Sequence, residues 1–137
     1  MWRRLKTRFI DREGSSLDVP ALEYKELSAD TVGEPSEEIR ERVENVRMIQ
    51  LTRYKNSKNY FNAGMTSRQL KSHCKLDEAS KQIMAAAIDK LGLSARAHDR
   101  ILKVSRTIAD LATEENIKSE HVAEAIQYRS LDRESWF

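Results

Sequence analysis

A chain of 137 residues and 15.9 kDa is long enough for one domain with its own core. With 34% charged against 39% hydrophobic residues it holds no apolar run of the roughly 18 residues a membrane span needs, and its single cysteine, Cys74, excludes an internal disulfide, so a cytoplasmic protein is expected. The formal net charge of +2 is unevenly spread, since the first twelve residues carry +4 and the rest −2.

In chain order, residues 1–16 form an irregular basic segment. Met1–Ile10 (MWRRLKTRFI) spaces Trp2, Leu5 and Phe9 as a helix would, with basic residues between. That pattern suits a basic amphipathic arm, an Arg-rich targeting segment, or a frayed terminus or junction segment foreign to the domain. Residues 17–35 read as an extended segment and linker, because Pro20 biases Val19 away from helix and Ser28–Pro35 (SADTVGEP) is rich in turn formers.

A helical domain is predicted over 36–133. The first helix, 37–55, opens at Ser36 with Glu37 and Glu38 in the first turn, where carboxylates suit the positive end of the dipole. Ile39, Val43, Val46, Ile49 and Tyr54 recur near a 3.6-residue period and predict one buried stripe. Glu37, Glu38, Glu41 and Glu44 read as its solvated face. Asn56–Gly64 reads as a loop. Thr66 and Gln69 have capping-box spacing ahead of a short helix, 67–74. Asp77 caps the next, 78–91, which buries Ala79, Ile83, Ala87 and Leu91 with Met84 and Ile88 alongside and ends where Gly92 supplies a left-handed residue. Ser94 caps a fourth helix, 95–112, with Ala97, Ile101, Val104, Ile108 and Leu111 on one face. Ser119 caps a fifth, 120–129, with Val122 and Ile126 inward, and residues 134–137 are expected to fray. The expected architecture is an all-α bundle of about five helices joined by short loops.

Several chemistries lack their residues. There is no G-x-x-x-x-G-K-[ST] phosphate loop, and the four glycines are too dispersed for a dinucleotide turn. His73 and Cys74 are adjacent and so do not share a helix face, no second cysteine is available to complete a metal site, and none is expected. Cys74 reads as a small buried residue.

Two features carry a charge pattern. Arg96, Arg100 and Lys103 form a row on the fourth helix, with Arg96 in the first turn, where the helix dipole disfavours a cation unless an anion sits there too. The alternative is a solvated face paired with Asp99 or with acids elsewhere. Residues 52–75 contain six Lys or Arg, no Asp or Glu, and the aromatics Tyr54, Tyr60 and Phe61. Such a segment can bind single-stranded nucleic acid by charge neutralisation and stacking. The alternative is that the aromatics complete the core while the lysines stay in water.

Particular strings then carry a family resemblance. Gly92–Leu111 reads GLSARAHDRILKVSRTIADL and His121–Arg133 reads HVAEAIQYRSLDR, accompanied by EIRERV (38–43), NAGMT (62–66) and LDEAS (76–80). In this order and spacing they resemble the C-terminal domain of the magnesium chelatase-like ATPases, within them the ComM/YifB-type competence group, over Val19–Arg133. The resemblance implies an AAA+ lid domain. In that family an α/β core with Walker A and Walker B precedes the lid, the proteins assemble as hexameric rings, and ComM-type members are associated with natural transformation and look like DNA branch-migration motors. By the same resemblance Arg96 matches the sensor 2 arginine, which contacts nucleotide phosphates, and Arg100 and Arg106 offer supporting contacts to the phosphate or a neighbouring subunit.

The implied ligands are ATP and Mg2+ in the complete protein, with none bound tightly by this chain. The implied partners are the AAA+ core of the same polypeptide, neighbouring ring subunits and DNA, without a membrane. The chain alone, lacking Walker A and Walker B, is not expected to be an enzyme. The family's S-G-P-L-L-D-R-I-D-like string has only Asp11–Arg12 as a counterpart here, so Arg12 receives no arginine-finger role. The rival reading is a helical nucleic-acid-binding or protein-docking module.

Overall fold

The computed structural model describes residues 33–134, with side chains through Arg129. Among the described residues five α-helices follow one another: α1 (Ser36–Arg53), α2 (Ser67–His73), α3 (Glu78–Leu91), α4 (Ala95–Leu111) and α5 (Ser119–Glu134), with one 3-10 turn at Asn62–Gly64. The all-α bundle expected from the sequence is what forms. Residues 1–32, including the basic stretch, Val19–Pro20 and Arg12, lie outside the described residues, as do 135–137.

The helix starts follow from local chemistry. Thr66 Oγ1 accepts the Gln69 N–H, and Gln69 Oε1 accepts the Thr66 N–H at 3.0 Å, completing the reciprocal box. Asp77 Oδ1 accepts the Ser80 N–H at 2.7 Å, and Ser94 Oγ the Ala97 N–H at 3.2 Å. Gly92 ends α3 at φ 57°, and the Leu93 N–H closes back onto the Ile88 carbonyl.

α5 departs from expectation at both ends. It begins at Ser119 instead of being capped by it, and His121 Nδ1 accepts the Lys118 N–H at 3.1 Å, so the histidine three residues on satisfies the helix start. It also continues to Glu134, past the predicted end at 129 and into the stretch expected to fray.

α4 is the central element. It packs most extensively on α5 and also touches α1, α2 and the 3-10 turn, while α3 lies on α5. The core gathers Tyr54, Met65, Leu70, Cys74, Met84, Ile101, Leu102, Ala109, Ile117, Val122 and Ala125. A single parallel bridge between Leu76 and Ile117 ties the α2–α3 junction to the α4–α5 junction.

The inward faces differ from the periodic expectation at three places. Ile39 and Val43 are exposed, at 42% and 47%, because α1 meets the bundle only through its C-terminal half, where Val46 and Tyr54 are buried. On α3 the buried position is Ser80 and not Ala79, a shift of one residue in the face presented to α5. Leu111 stands half in solvent, although Ala109 and Asp110 beside it in the last turn of α4 are buried.

Candidate functional site

The sequence-predicted site residues lie along α4. Arg96 is the second residue of the helix and is exposed, with no ion pair or hydrogen bond to any other described residue. Asp99, the alternative partner, instead contacts His98 Nδ1 at 3.2 Å. The first-turn amides of α4 have no intrahelical acceptor, and Ser94 takes only that of Ala97. A guanidinium standing beside outward amides at the positive end of a dipole is an arrangement an anion would complete. Arg100, one turn on, is half-buried and engaged. Lys103, the third cation of the row, donates from Nζ to the Ala63 carbonyl at 2.9 Å.

Arg106 is placed differently. It is 3% exposed, and its guanidinium donates to Asp110 Oδ1 (3.0 Å), the Glu115 carbonyl (2.8 Å) and the Glu114 carbonyl (2.6 Å). The backbone makes those carbonyls available by turning at Thr113, which adopts φ 57°. The Thr113 N–H bonds the Asp110 carbonyl and the Glu114 N–H the Ala109 carbonyl, the two bonds of a Schellman end built without glycine. A left-handed conformation is costly for a β-branched residue, and the Arg106 bonds hold the chain in it. The side chain is thus occupied inside the domain, holding the end of α4 to the following loop.

Arg106 belongs to a buried polar cluster whose centre is Asp110, 1% exposed. Asp110 accepts a bidentate pair from Arg53 of α1, Nη1 to Oδ2 at 2.7 Å and Nη2 to Oδ1 at 2.5 Å, besides the Arg106 bond. Asn62 joins all three sides. Its Nδ2 donates to Asp110 Oδ2 (2.8 Å) and Thr107 Oγ1 (3.1 Å), its Oδ1 accepts from Arg53 (3.0 Å) and the Tyr54 hydroxyl (2.8 Å), and its backbone N–H reaches Gln50 Oε1 (3.1 Å). A carboxamide can donate and accept at once, so asparagine suits this junction.

Burial pushes the Asp110 carboxyl up, but hydrogen bonds from Arg53 and Asn62 and the charges of Arg53 and Arg106 outweigh it and hold it below the ordinary carboxylate value. The hydrogen bond to Asp110 raises Arg53 against the opposing pull of burial. Beside this cluster a cleft of about 520 Å3 opens, walled by Arg53, His73, Lys75, Glu114 and Asn116. Its imidazole is disfavoured as a cation by burial and then by Arg53 and Arg106.

The cluster escaped the sequence reading. Arg106 reads from the resemblance as a supporting contact to phosphate or a neighbouring subunit, and nothing in the spacing pairs Arg53 with a carboxylate 57 positions on. The one available signal was Asp110 at i+4 from Arg106, a spacing that joins side chains on one helix face. Cys74 is buried as expected, with its Sγ 3.9 Å from Met65 Sδ. No group of three metal-ligating side chains occurs among the described residues. No described helix is long and apolar enough to cross a membrane.

Comparison with known proteins places this geometry in context. The family model described as "Magnesium chelatase, subunit ChlI C-terminal" matches residues 33–129. The chain is 43% identical over 131 residues to competence protein ComM of Haemophilus influenzae and 37% identical over 131 residues to the uncharacterized protein YifB of Escherichia coli. It is 35% identical over the same length to YifB of Salmonella typhimurium. Each similarity covers 95% of this chain, and the chain spans about a quarter, 25%, of the relatives' length.

Proposed function

The chain belongs to the magnesium chelatase ChlI C-terminal family, and on that premise we propose that it is the nucleotide-sensing lid of an AAA+-type ATPase, coupling ATP binding and hydrolysis in a ring to motion on DNA. The observation that carries the proposal is Arg96, a cation left without an internal partner among the described residues at the start of the helix that contacts most of the domain.

The chemistry is electrostatic. A guanidinium presents several donors in a plane and pairs well with phosphate oxygens. Held against a terminal phosphate, Arg96 offsets negative charge, and loss of that phosphate frees it. α4 is about 26 Å long at 1.5 Å per residue, and its far end is pinned to α1 through Asp110 and Arg53. Displacement of Arg96 is therefore delivered to α1 as a rigid-body movement. Arg100, one turn on, adds a supporting contact to the phosphate or to a neighbouring subunit. Arg106 is assigned to positioning, because its donors are used inside the domain.

The residues present fit one or two phosphate contacts and no more. The sequence holds no phosphate-cradling loop, so in this reading Mg2+ and the rest of the ATP site belong to the part of the protein that carries the core, and the chain alone hydrolyses nothing. That core also supplies the cover for Ile39 and Val43, which α1 leaves in solvent. Neighbouring subunits of a ring, most simply a hexamer, face the remaining exposed surface, and the assembly works in the cytoplasm.

The chain's own share is tested by NMR titration with ATP. Millimolar ATP is expected to shift the amides of Ser94–Ala97 without saturation, and Arg96→Ala removes the shift. Saturation at micromolar ATP, a binding free energy of about −8 kcal/mol, would contradict a lid that lacks its cradle.

A further inference from the structure

The acid-free segment 52–75 separates in the structure into two parts. Tyr54 is buried at 1%, its hydroxyl bound to Asn62, as a core residue should be. Tyr60 and Phe61 are 56% and 44% exposed. The segment's aromatics therefore do not all complete the core. Its cations divide the same way. Arg53 is taken by Asp110, while Lys55, Lys58, Arg68, Lys71 and Lys75 are exposed and make no ion pair with another described residue.

The backbone that carries the two exposed rings is anchored. Asn59 Nδ2 donates to the Phe61 carbonyl at 2.8 Å, and the Asn59 N–H donates to Ser57 Oγ at 3.1 Å. Ser57 Oγ in turn accepts from Gln69 Nε2 at 3.0 Å, which fastens the loop to the start of α2 next to Arg68. Gly64 is required for this packing, since a Cβ there would lie 2.1 Å from Asn59 Oδ1. On the other side Lys103 grips the Ala63 carbonyl, and the Arg47 guanidinium lies over Phe61, 5.7 Å from the ring centre. Arg47 of α1 thus meets Phe61 directly, while Lys55 and Lys58 share the anchored loop with Tyr60 and Phe61, and Arg68 starts the helix to which that loop is fastened. Glu124, which lines the groove beyond Lys103, is engaged by the Tyr128 hydroxyl at 2.8 Å.

We propose that Tyr60 and Phe61, flanked by Lys55, Lys58 and Arg68, form a binding surface for single-stranded nucleic acid. Bases stack on the two rings, and backbone phosphates meet the unpaired cations, a combination that tolerates any base because every base offers a π-face. A paired duplex hides its base faces, and a protein partner would need carboxylates to match the cations. The exposed rings favour a single strand over both. The proposal stands apart from the phosphate-sensing role of Arg96 and uses none of its residues.

The test is fluorescence anisotropy of the full chain with a labelled 20-nucleotide oligo-dT. Binding should weaken with salt. Y60A/F61A should weaken it by about tenfold or more, whereas Y60W/F61W, which keeps the stacking faces, retains it. K55A/K58A/R68A should lower the salt slope by about 2, at roughly 0.7 per phosphate contact on a single strand. Circular dichroism confirms that each variant remains folded.

Four results would overturn the proposal. They are no binding at low salt, equal binding by Y60A/F61A, equal affinity for a hairpin duplex of the same length, and binding lost only when Arg3, Arg4, Lys6 and Arg8 are replaced. Preferential capture of an acidic peptide over the oligonucleotide would assign the surface to a protein instead.

Discussion

Arg53 and Asp110 lie 57 residues apart and meet in a bidentate ion pair, at 2.7 and 2.5 Å, that fixes the end of α1 against the end of α4. α1 brings few apolar contacts of its own, because Ile39, Val43, Met48 and Leu51 face outward. The angle between the first helix and the central helix is therefore set by polar chemistry to an unusual degree. A bidentate carboxylate–guanidinium pair constrains orientation as well as distance.

Removing Asp110 tests that statement. Asp110→Ala leaves Arg106 buried without its carboxylate and Arg53 nearly so, and breaking one side of such a cluster costs about 3–5 kcal/mol. For a domain near 100 residues this lowers Tm by more than about 12 °C. Asp110→Asn keeps the shape and loses the charge, so its loss should be smaller but of the same sign. Thermal unfolding followed by circular dichroism measures both. A change below about 1 kcal/mol in both variants would show that the pair does not hold α1.

The same residue sets an acid limit. Asp110 is held below its ordinary value in the fold, so the unfolded chain takes up its proton first as pH falls. The stability it contributes is fully present above the unfolded value of about 3.9 and is lost as pH falls from there through the lower folded value. Urea midpoints measured between pH 7 and pH 2 should drop over that window. In Asp110→Asn the drop over the same window should be shallower.

Cys74 sets the alkaline counterpart. Burial pushes its thiol up to about 11, against partial opposition from Arg106 and Arg53. At neutral pH the thiol is protonated and enclosed, so a disulfide reagent should react slowly with the native chain and rapidly in denaturant. The unfolded thiol loses its proton near 8.5. Stability should therefore fall as pH rises from about 8.5 towards 11, and Cys74→Ala should flatten that fall. Fast native labelling at pH 7 would show that the residue is not enclosed.

Much of the fold was legible because its signals are local. Thr66 with Gln69, Asp77, Ser94 and Gly92 each mark a helix boundary through chemistry spanning three or four residues, and each acts as read. The inward faces were legible only where a helix is covered along its length. The stripe on α1 continues to Ile39, but periodicity cannot say that the bundle ends before it. Ala79 and Ser80 show the same limit, since a small hydroxyl can replace a methyl at a helix contact. The polar cluster was not legible, because Arg53, Asn62 and Asp110 meet only through tertiary packing. The sequence left two readings for Tyr60 and Phe61, stacking surface or core, and only burial decides that they are exposed while Tyr54 is not.

The central claim is that Arg96 reports nucleotide phosphate to the lid. Its most direct test is ATP turnover in a full-length relative such as the ComM protein of Haemophilus influenzae, with the segment that matches this chain exchanged for it, with and without Arg96→Ala. The account predicts turnover reduced by about tenfold or more, the loss expected when a charge-stabilising contact worth about 1.4 kcal/mol or more is removed, with Tm unchanged. Turnover at the level of the exchanged protein that keeps Arg96 would contradict it.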